Sequence, residues 1–289
     1  MGPQCKLASA PRATPTVRPS AEHPSRIAAK FKSLLGRGEK ALIAYVMAGD
    51  PSLAKTEDLV AALERAGADL VELGVPFSDP VADGPVIQRA GERALKQGVS
   101  LRGVLEAVAR LRSRTEVPLI LMTYLNPVLR LGVDAFFAGA ANAGVDGVVI
   151  PDLPAEEGDA LSSQAAREGI DLIFLAAPTT QPARLRQVAG MSSGFLYYVS
   201  VTGITGASLS DLGEIEKRLK AIKKLARIPV AVGFGISTPD HARALGRVAD
   251  GIVVGTAIVQ RVERYGQSPE LISVLEQFVR SLKSSLSSS

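Results

Sequence analysis

Histidine and cysteine are nearly missing from this chain of 289 residues, which has two of the first and one of the second. With Cys5 alone no internal disulfide can form, and a reducing compartment such as the cytoplasm is the natural expectation. His23 lies in a proline-rich leader, and His241 follows Thr238-Pro239-Asp240, where a solvated residue in the first turn of a helix is expected. Two isolated histidines offer no ligand set for zinc, so no metal is expected. No apolar run approaches the roughly 18–20 residues that would span a bilayer, and no membrane segment is expected.

A basic face is missing too. The formal charge is +4, but residues 1–40 hold eight Lys or Arg against Glu22 and Glu39, so that segment carries +6 and the remainder −2. A nucleic-acid-binding protein places its positive charge on a folded surface, which argues against such a partner. The first 24 residues contain five prolines, no acid before Glu22 and no continuous apolar stretch of the kind a secretory signal needs. They read as a disordered basic tail, with an organellar transit remnant as the alternative. Residues 25–284 are long and apolar enough for one catalytic domain, and residues 285–289 read as a disordered Ser-rich end.

What is present is a regular alternation. After an amphipathic lead-in, Ser25 to Leu35 with Gly36 as its stop, eight short β-rich runs follow: Ala41–Met47, Leu70–Leu73, Leu119–Thr123, Gly147–Ile150, Leu172–Ala176, Phe195–Val199, Val230–Gly233 and Gly251–Val254. Between them lie segments such as Leu53–Ala66 and Leu101–Arg112 whose apolar residues recur every three or four positions. Three junctions share one grammar, a glycine that ends a helix, one apolar residue, an Asp, then a strand: Gly67-Ala-Asp69, Gly144-Val-Asp146 and Gly169-Ile-Asp171. Eight β/α units without a strict repeat period predict an α/β fold, a single (β/α)8 TIM barrel with an N-terminal extra helix. An open doubly wound sheet is the rival, but no dinucleotide fingerprint follows the first strand.

Residues just after the strands of such a barrel form its mouth, where chemistry is expected. A Schiff-base mechanism would need a lysine there, yet Lys40, Lys96, Lys217, Lys220, Lys223 and Lys224 fall before strands or on helices. Gly233-Phe-Gly235 and Gly255-Thr256 follow the last two strands, where backbone N–H groups and a helix N-terminus can hold phosphate; alternatively these glycines only let strands turn into helices. Glu72 stands between Val71 and Leu73 on the second strand, so alternation turns it to the barrel interior. A buried carboxylate pairs with a cation, is anchored by backbone donors, or has a raised pKa and transfers protons. Asp79 and Asp83, taken singly, fit ordinary turn positions.

The run Glu72-Leu-Gly-Val-Pro-Phe-Ser-Asp-Pro-Val-Ala-Asp-Gly-Pro-Val-Ile-Gln88 resembles the signature of the tryptophan synthase α-subunit family. Ala48-Gly-Asp-Pro51, Tyr124-Leu-Asn-Pro127, Pro151-Asp-Leu-Pro154, Ser200-Val-Thr-Gly-Ile-Thr-Gly-Ala207 and Val232-Gly-Phe-Gly-Ile-Ser237 join it in order, so the resemblance runs from about residue 25 to 280. It implies a cofactor-free lyase that cleaves indole-3-glycerol phosphate to indole and glyceraldehyde 3-phosphate. It implies Glu72 as the acid–base residue and Asp83 as acceptor of the indole N–H. Tyr45, Ile87, Tyr124 and Asp152 would line the indole pocket, and Gly206, Gly235, Gly255 and Thr256 would hold phosphate. Thr205 would belong to a lid after the sixth strand, in which Val201 stands where some members have arginine. The implied partner is a β subunit in an αββα complex; a stand-alone lyase and a catalytically idle activating partner are the alternatives.

Overall fold

The computed structural model describes residues 25–199, 209–233 and 235–287. Thr205, Gly206, Val201 and the leader of residues 1–24 lie outside them. Among the described residues the strands are β1 (Ala41–Met47), β2 (Leu70–Gly74), β3 (Leu119–Met122), β4 (Gly147–Val149), β5 (Asp171–Ile173), β6 (Leu175–Ala176), β7 (Leu196–Val199), β8 (Val230–Gly233) and β9 (Gly251–Val254). All pair in parallel, in the order β5-β4-β3-β2-β1-β9-β8-β7-β6.

The two ends of that order are consecutive in the chain. β5 pairs with β4 and β6 with β7, and only Phe174 separates them. They are one barrel stave in two pieces, so the eight expected staves close on themselves. The ladder breaks because the Phe174 N–H donates to the Ser192 side chain, at 3.0 Å, instead of to a neighbouring strand.

Closure creates an interior that side chains must fill. Ile43, Leu70, Ile120, Val149, Ile173, Phe195, Ala231 and Val253 fill its lower part together with Ile27, Phe31 and Leu34 of the first helix, Arg26–Gly36. That helix starts where Ser25 caps the Ala28 N–H, at 3.1 Å, and its apolar stripe covers the bottom of the barrel. The alternate strand residues, Val71 and Leu73 among them, point outward into the helix layer.

The glycine–x–Asp grammar has a physical reason. Gly67, Gly144 and Gly169 have φ of +101°, +87° and +71°, a region that L side chains seldom enter. The carboxylates after Gly67 and Gly144 clamp neighbouring strands at the bottom of the barrel, while Asp171 accepts from the Ser25 hydroxyl. Asp69 accepts from the Leu42 N–H of β1 at 2.8 Å, and Asp146 accepts from the Leu119 N–H of β3 at 2.8 Å. Asp250, ahead of β9, does the same for Val230 of β8 at 3.0 Å. Each is also met by a cation: Lys283 for Asp69, Arg112 and Arg26 for Asp146, Lys223 for Asp250.

One expected boundary is corrected. The last helix, Leu271–Ser287, runs past residue 284, and Ser285 and Leu286 are buried, so residues 285–287 belong to the folded body. Leu275, Leu282 and Leu286 share the buried face and carry the helix through a serine-rich stretch of modest helix propensity. No helix among the described residues is long and apolar enough to cross a membrane.

Removing one partner of a buried, hydrogen-bonded ion pair costs about 3–5 kcal/mol. Asp146→Ala should therefore lower the urea midpoint strongly, since it leaves the Arg112 charge without its carboxylate and the Leu119 N–H without its acceptor, while Asp146→Asn should lose less by keeping an acceptor. Unchanged midpoints in both variants would show that the clamp is dispensable.

Candidate functional site

The upper interior differs in kind from the aliphatic layers below it. Parallel register sets Tyr45 beside Glu72, and Tyr197 reaches the same layer from β7. Glu72 is fully buried, and neither of its carboxyl oxygens has a hydrogen-bond partner. Of the alternatives open at the level of sequence, neither a cation nor a set of backbone donors meets it among the described residues. Burial, with the Asp83 carboxylate as a second cause, raises its pKa to about 8.

Two glycines make room for the tyrosines that surround it. A methyl group added at Gly74 would lie 2.1 Å from the Tyr45 hydroxyl, and one at Gly233 would lie 3.0 Å from the Tyr197 ring. Burial holds both phenols well above their ordinary pKa, and the nearby Glu72 and Asp83 push the same way. The sequence reading named Tyr45 and missed Tyr197. Its signal was available, because alternation along Phe195–Val199 turns Tyr197 inward beside Phe195, but its nearness to Glu72 appears only when the barrel closes.

Asp83 enters from the loop after β2. Its own N–H donates to Pro80 O at 3.0 Å, and Gly84 with Pro85 then starts the helix Pro85–Lys96. The Tyr124 hydroxyl accepts from the Ala82 N–H at 3.1 Å, next to Asp83, so one phenol fixes the end of this loop. Burial raises the Asp83 pKa to about 6, opposed in part by the nearby Tyr124 hydroxyl. Asp152 accepts from the Leu125 N–H at 2.9 Å and so secures the start of the helix Leu125–Leu131, directly after Tyr124. Ile87 is half-buried in the first turn of Pro85–Lys96. Glu72, Asp83, Tyr45, Tyr124 and Tyr197 thus converge, while Asp152 acts on the backbone that carries Tyr124.

Gly235, Gly255 and Thr256 lie at the same end of the barrel, after β8 and β9. Gly235 has φ +58°, and Gly255 with Thr256 opens the helix Thr256–Tyr265 without a side-chain cap. Its first N–H groups are therefore available to an anion. His241 departs from expectation: it is half-buried, and its Nδ1 is shielded from solvent without a partner. Among the described residues no group of three or more His, Cys, Asp or Glu could hold a metal ion. A cavity of about 550 Å³ on the outer flank, lined by Arg261, Tyr265 and Phe278, holds none of the candidate residues, and the convergence of perturbed carboxyls favours the mouth over it.

A family model described as tryptophan synthase alpha chain matches residues 31–286. The chain is 51% identical over 259 residues to the tryptophan synthase alpha chain of Citrifermentans bemidjiense, covering 90% of this chain and 97% of that one. It is 48% identical over 264 residues to that of Carboxydothermus hydrogenoformans, covering 90% and 99%. Among solved structures, tryptophan synthase subunit alpha from Legionella pneumophila is similar with a TM-score of 0.87 and 36% identity, over 92% of this chain and 100% of that one. A chain of the tryptophan synthase complex from Pyrococcus furiosus is similar with a TM-score of 0.78 and 38% identity, over 84% and 98%.

The raised pKa of Glu72 makes a stability prediction with a definite sign. Between its ordinary value of 4.5 and its folded value of about 8, the folded chain binds the Glu72 proton more tightly than the unfolded chain does, so stability falls as pH rises through that window. Glu72→Gln removes this titration. Its melting temperature should match the parent near pH 4.5 and exceed it by several degrees at pH 8–9, a difference on the order of a few kcal/mol. A constant difference across that range would mean that the carboxyl is ionised in the folded state throughout.

Proposed function

Because the chain belongs to the tryptophan synthase alpha chain family and so cleaves indole-3-glycerol phosphate in tryptophan biosynthesis, we propose that Glu72 and Asp83 carry that cleavage. The observation that supports this most is the Glu72 carboxyl, fully buried and unpartnered, with the second perturbed carboxyl of Asp83 beside it. In this reading the indole ring lies among Tyr45, Tyr124, Tyr197 and Ile87, with its N–H toward Asp83. The phosphate reaches the N-terminus of Thr256–Tyr265 and the backbone at Gly255 and Gly235.

The reaction needs a proton at indole C3 and the loss of one from the hydroxyl next to the breaking bond. With a pKa of about 8, Glu72 is largely protonated at neutral pH and can deliver the first proton. Positive charge then grows on the ring nitrogen, where the Asp83 carboxylate stabilises it. As the carbon–carbon bond breaks, its electron pair returns to the ring and restores indole. The hydroxyl oxygen keeps a double bond to carbon in glyceraldehyde 3-phosphate, and its proton goes back to the Glu72 carboxylate. One carboxyl gives and regains one proton, so the cycle closes without an outside base. Tyr124 keeps Asp83 in place, and Asp152 keeps Tyr124 in place.

The family works with a β subunit, and an αββα complex is our reading for this chain. Support comes from the loop after β2, where Val81 is 82% exposed beside Asp83, an apolar side chain offered at the mouth itself. A partner seated there would close the entrance and favour turnover. The lone cysteine supports a cytoplasmic setting.

Indole release by the purified chain, with and without a β subunit, tests the assignment. Glu72→Gln should lower the rate by about 10²–10⁴-fold, the usual weight of acid–base catalysis. Asp83→Asn should lose most activity as well, and both variants should still bind glycerol 3-phosphate. Turnover near the parent rate in Glu72→Gln would remove Glu72 from the chemistry.

A further inference from the structure

The two helices that open at opposite ends of the proposed substrate site are tied to each other lower down. Glu263, on Thr256–Tyr265, takes a bidentate contact from Arg89 at 2.8 and 2.9 Å. It takes a third N–H from Arg93 at 2.9 Å, both arginines lying on Pro85–Lys96. Arg93 turns its remaining N–H groups to Asp50, at 2.9 and 2.8 Å, in the loop after β1, where the Asp50 side chain is 3% exposed. The chain of contacts thus joins three mouth segments through two paired forks. The guanidinium fork fixes angle as well as distance, so this connection is stiffer than a single ion contact. Two guanidiniums hold the Glu263 carboxyl at about 2, so the tie stays charged at any working pH.

Stability explains only part of it. The Arg93 pair has a buried carboxylate in Asp50, but the Arg89 and Glu263 side chains are 49% and 31% exposed, and half-exposed pairs contribute less to folding. Placement explains the rest. Pro85–Lys96 begins two residues after Asp83 and carries Ile87 in its first turn, while Thr256–Tyr265 begins at Gly255. Each helix therefore presents one end of the substrate site, and Arg89, Arg93 and Glu263 sit one to two turns below those ends.

We propose that Glu263 is a positioning residue which, through Arg89 and Arg93, sets the separation between the indole end of the site at Asp83 and the phosphate end at Gly255 and Thr256. The inference rests on the proposed roles of those two ends. A ligand that spans both must meet them at one fixed distance, whereas a ligand that occupies a single end does not feel the spacing. A displacement of about 1 Å can cost up to 10²-fold in rate for a positioned substrate, and a ligand anchored at both ends meets the same misfit.

The test compares Glu263→Ala and Arg89→Gln with the parent on three ligands, by calorimetry: indole-3-propanol phosphate, which spans the site and has no bond to break, and glycerol 3-phosphate and indole, which each fill one end. The expected result is an affinity for the spanning ligand about tenfold lower, with the single-end ligands within about twofold of the parent. Arg110→Ala, which breaks a half-exposed pair with Glu57 away from these helices, should change none of the three. Equal losses on all three ligands would mark a general loss of structure, and no loss on the spanning ligand would show that the tie is decorative; either overturns the proposal. The same split in Arg110→Ala would overturn it too. If the parent itself failed to bind the spanning ligand, the reading of the two ends would fall first and the positioning role with it.

Discussion

A carboxylic acid sealed inside a closed barrel must be paired or protonated, and Glu72 has no pair among the described residues. The neighbouring architecture follows from that constraint. The strand residues below are aliphatic, and the first helix covers the bottom with Phe31, Ile27 and Leu34. Around Glu72 itself the space is filled by tyrosine rings, which are bulky enough to close the layer, while glycines at 74 and 233 leave room for them. The result is a proton held in a low-dielectric pocket that a substrate can reach only from one end.

Two sets of carboxylates in this barrel have contrasting environments. Asp69, Asp146 and Asp250 at the bottom each accept a strand N–H and meet a cation, which ties neighbouring strands together. Glu72 and Asp83 near the mouth meet no cation among the described residues, and burial pushes both toward the neutral form. The side-chain chemistry is nearly the same, and solvation decides whether it holds the fold or serves a reaction. The division agrees with the general asymmetry of barrels, in which stability is built at one end and chemistry at the other.

Much of this was legible in the residues. Period-two alternation at Val71-Glu72-Leu73 turns the acid inward, and the glycine–x–Asp junctions mark the helix-to-strand turns. The rest depends on closure or on packing. Tyr197 and Glu72 are 125 positions apart and meet only because the barrel curls back on itself. The break at Phe174 comes from the Ser192 hydroxyl, 18 residues later, which takes over a ladder N–H. The last helix outruns its serine content because Leu282 and Leu286 are buried. The Arg89, Arg93 and Glu263 tie joins helices 170 residues or more apart, and nothing local in either helix announces it.

Everything at the mouth turns on a Glu72 carboxyl that is protonated near neutral pH. Infrared difference spectra of the parent minus Glu72→Gln, recorded across a pH titration, read that proton directly. A carboxylic-acid C=O band should be present at pH 7 and give way to carboxylate bands with a midpoint of about 8. Carboxylate bands already complete at pH 6 would contradict it.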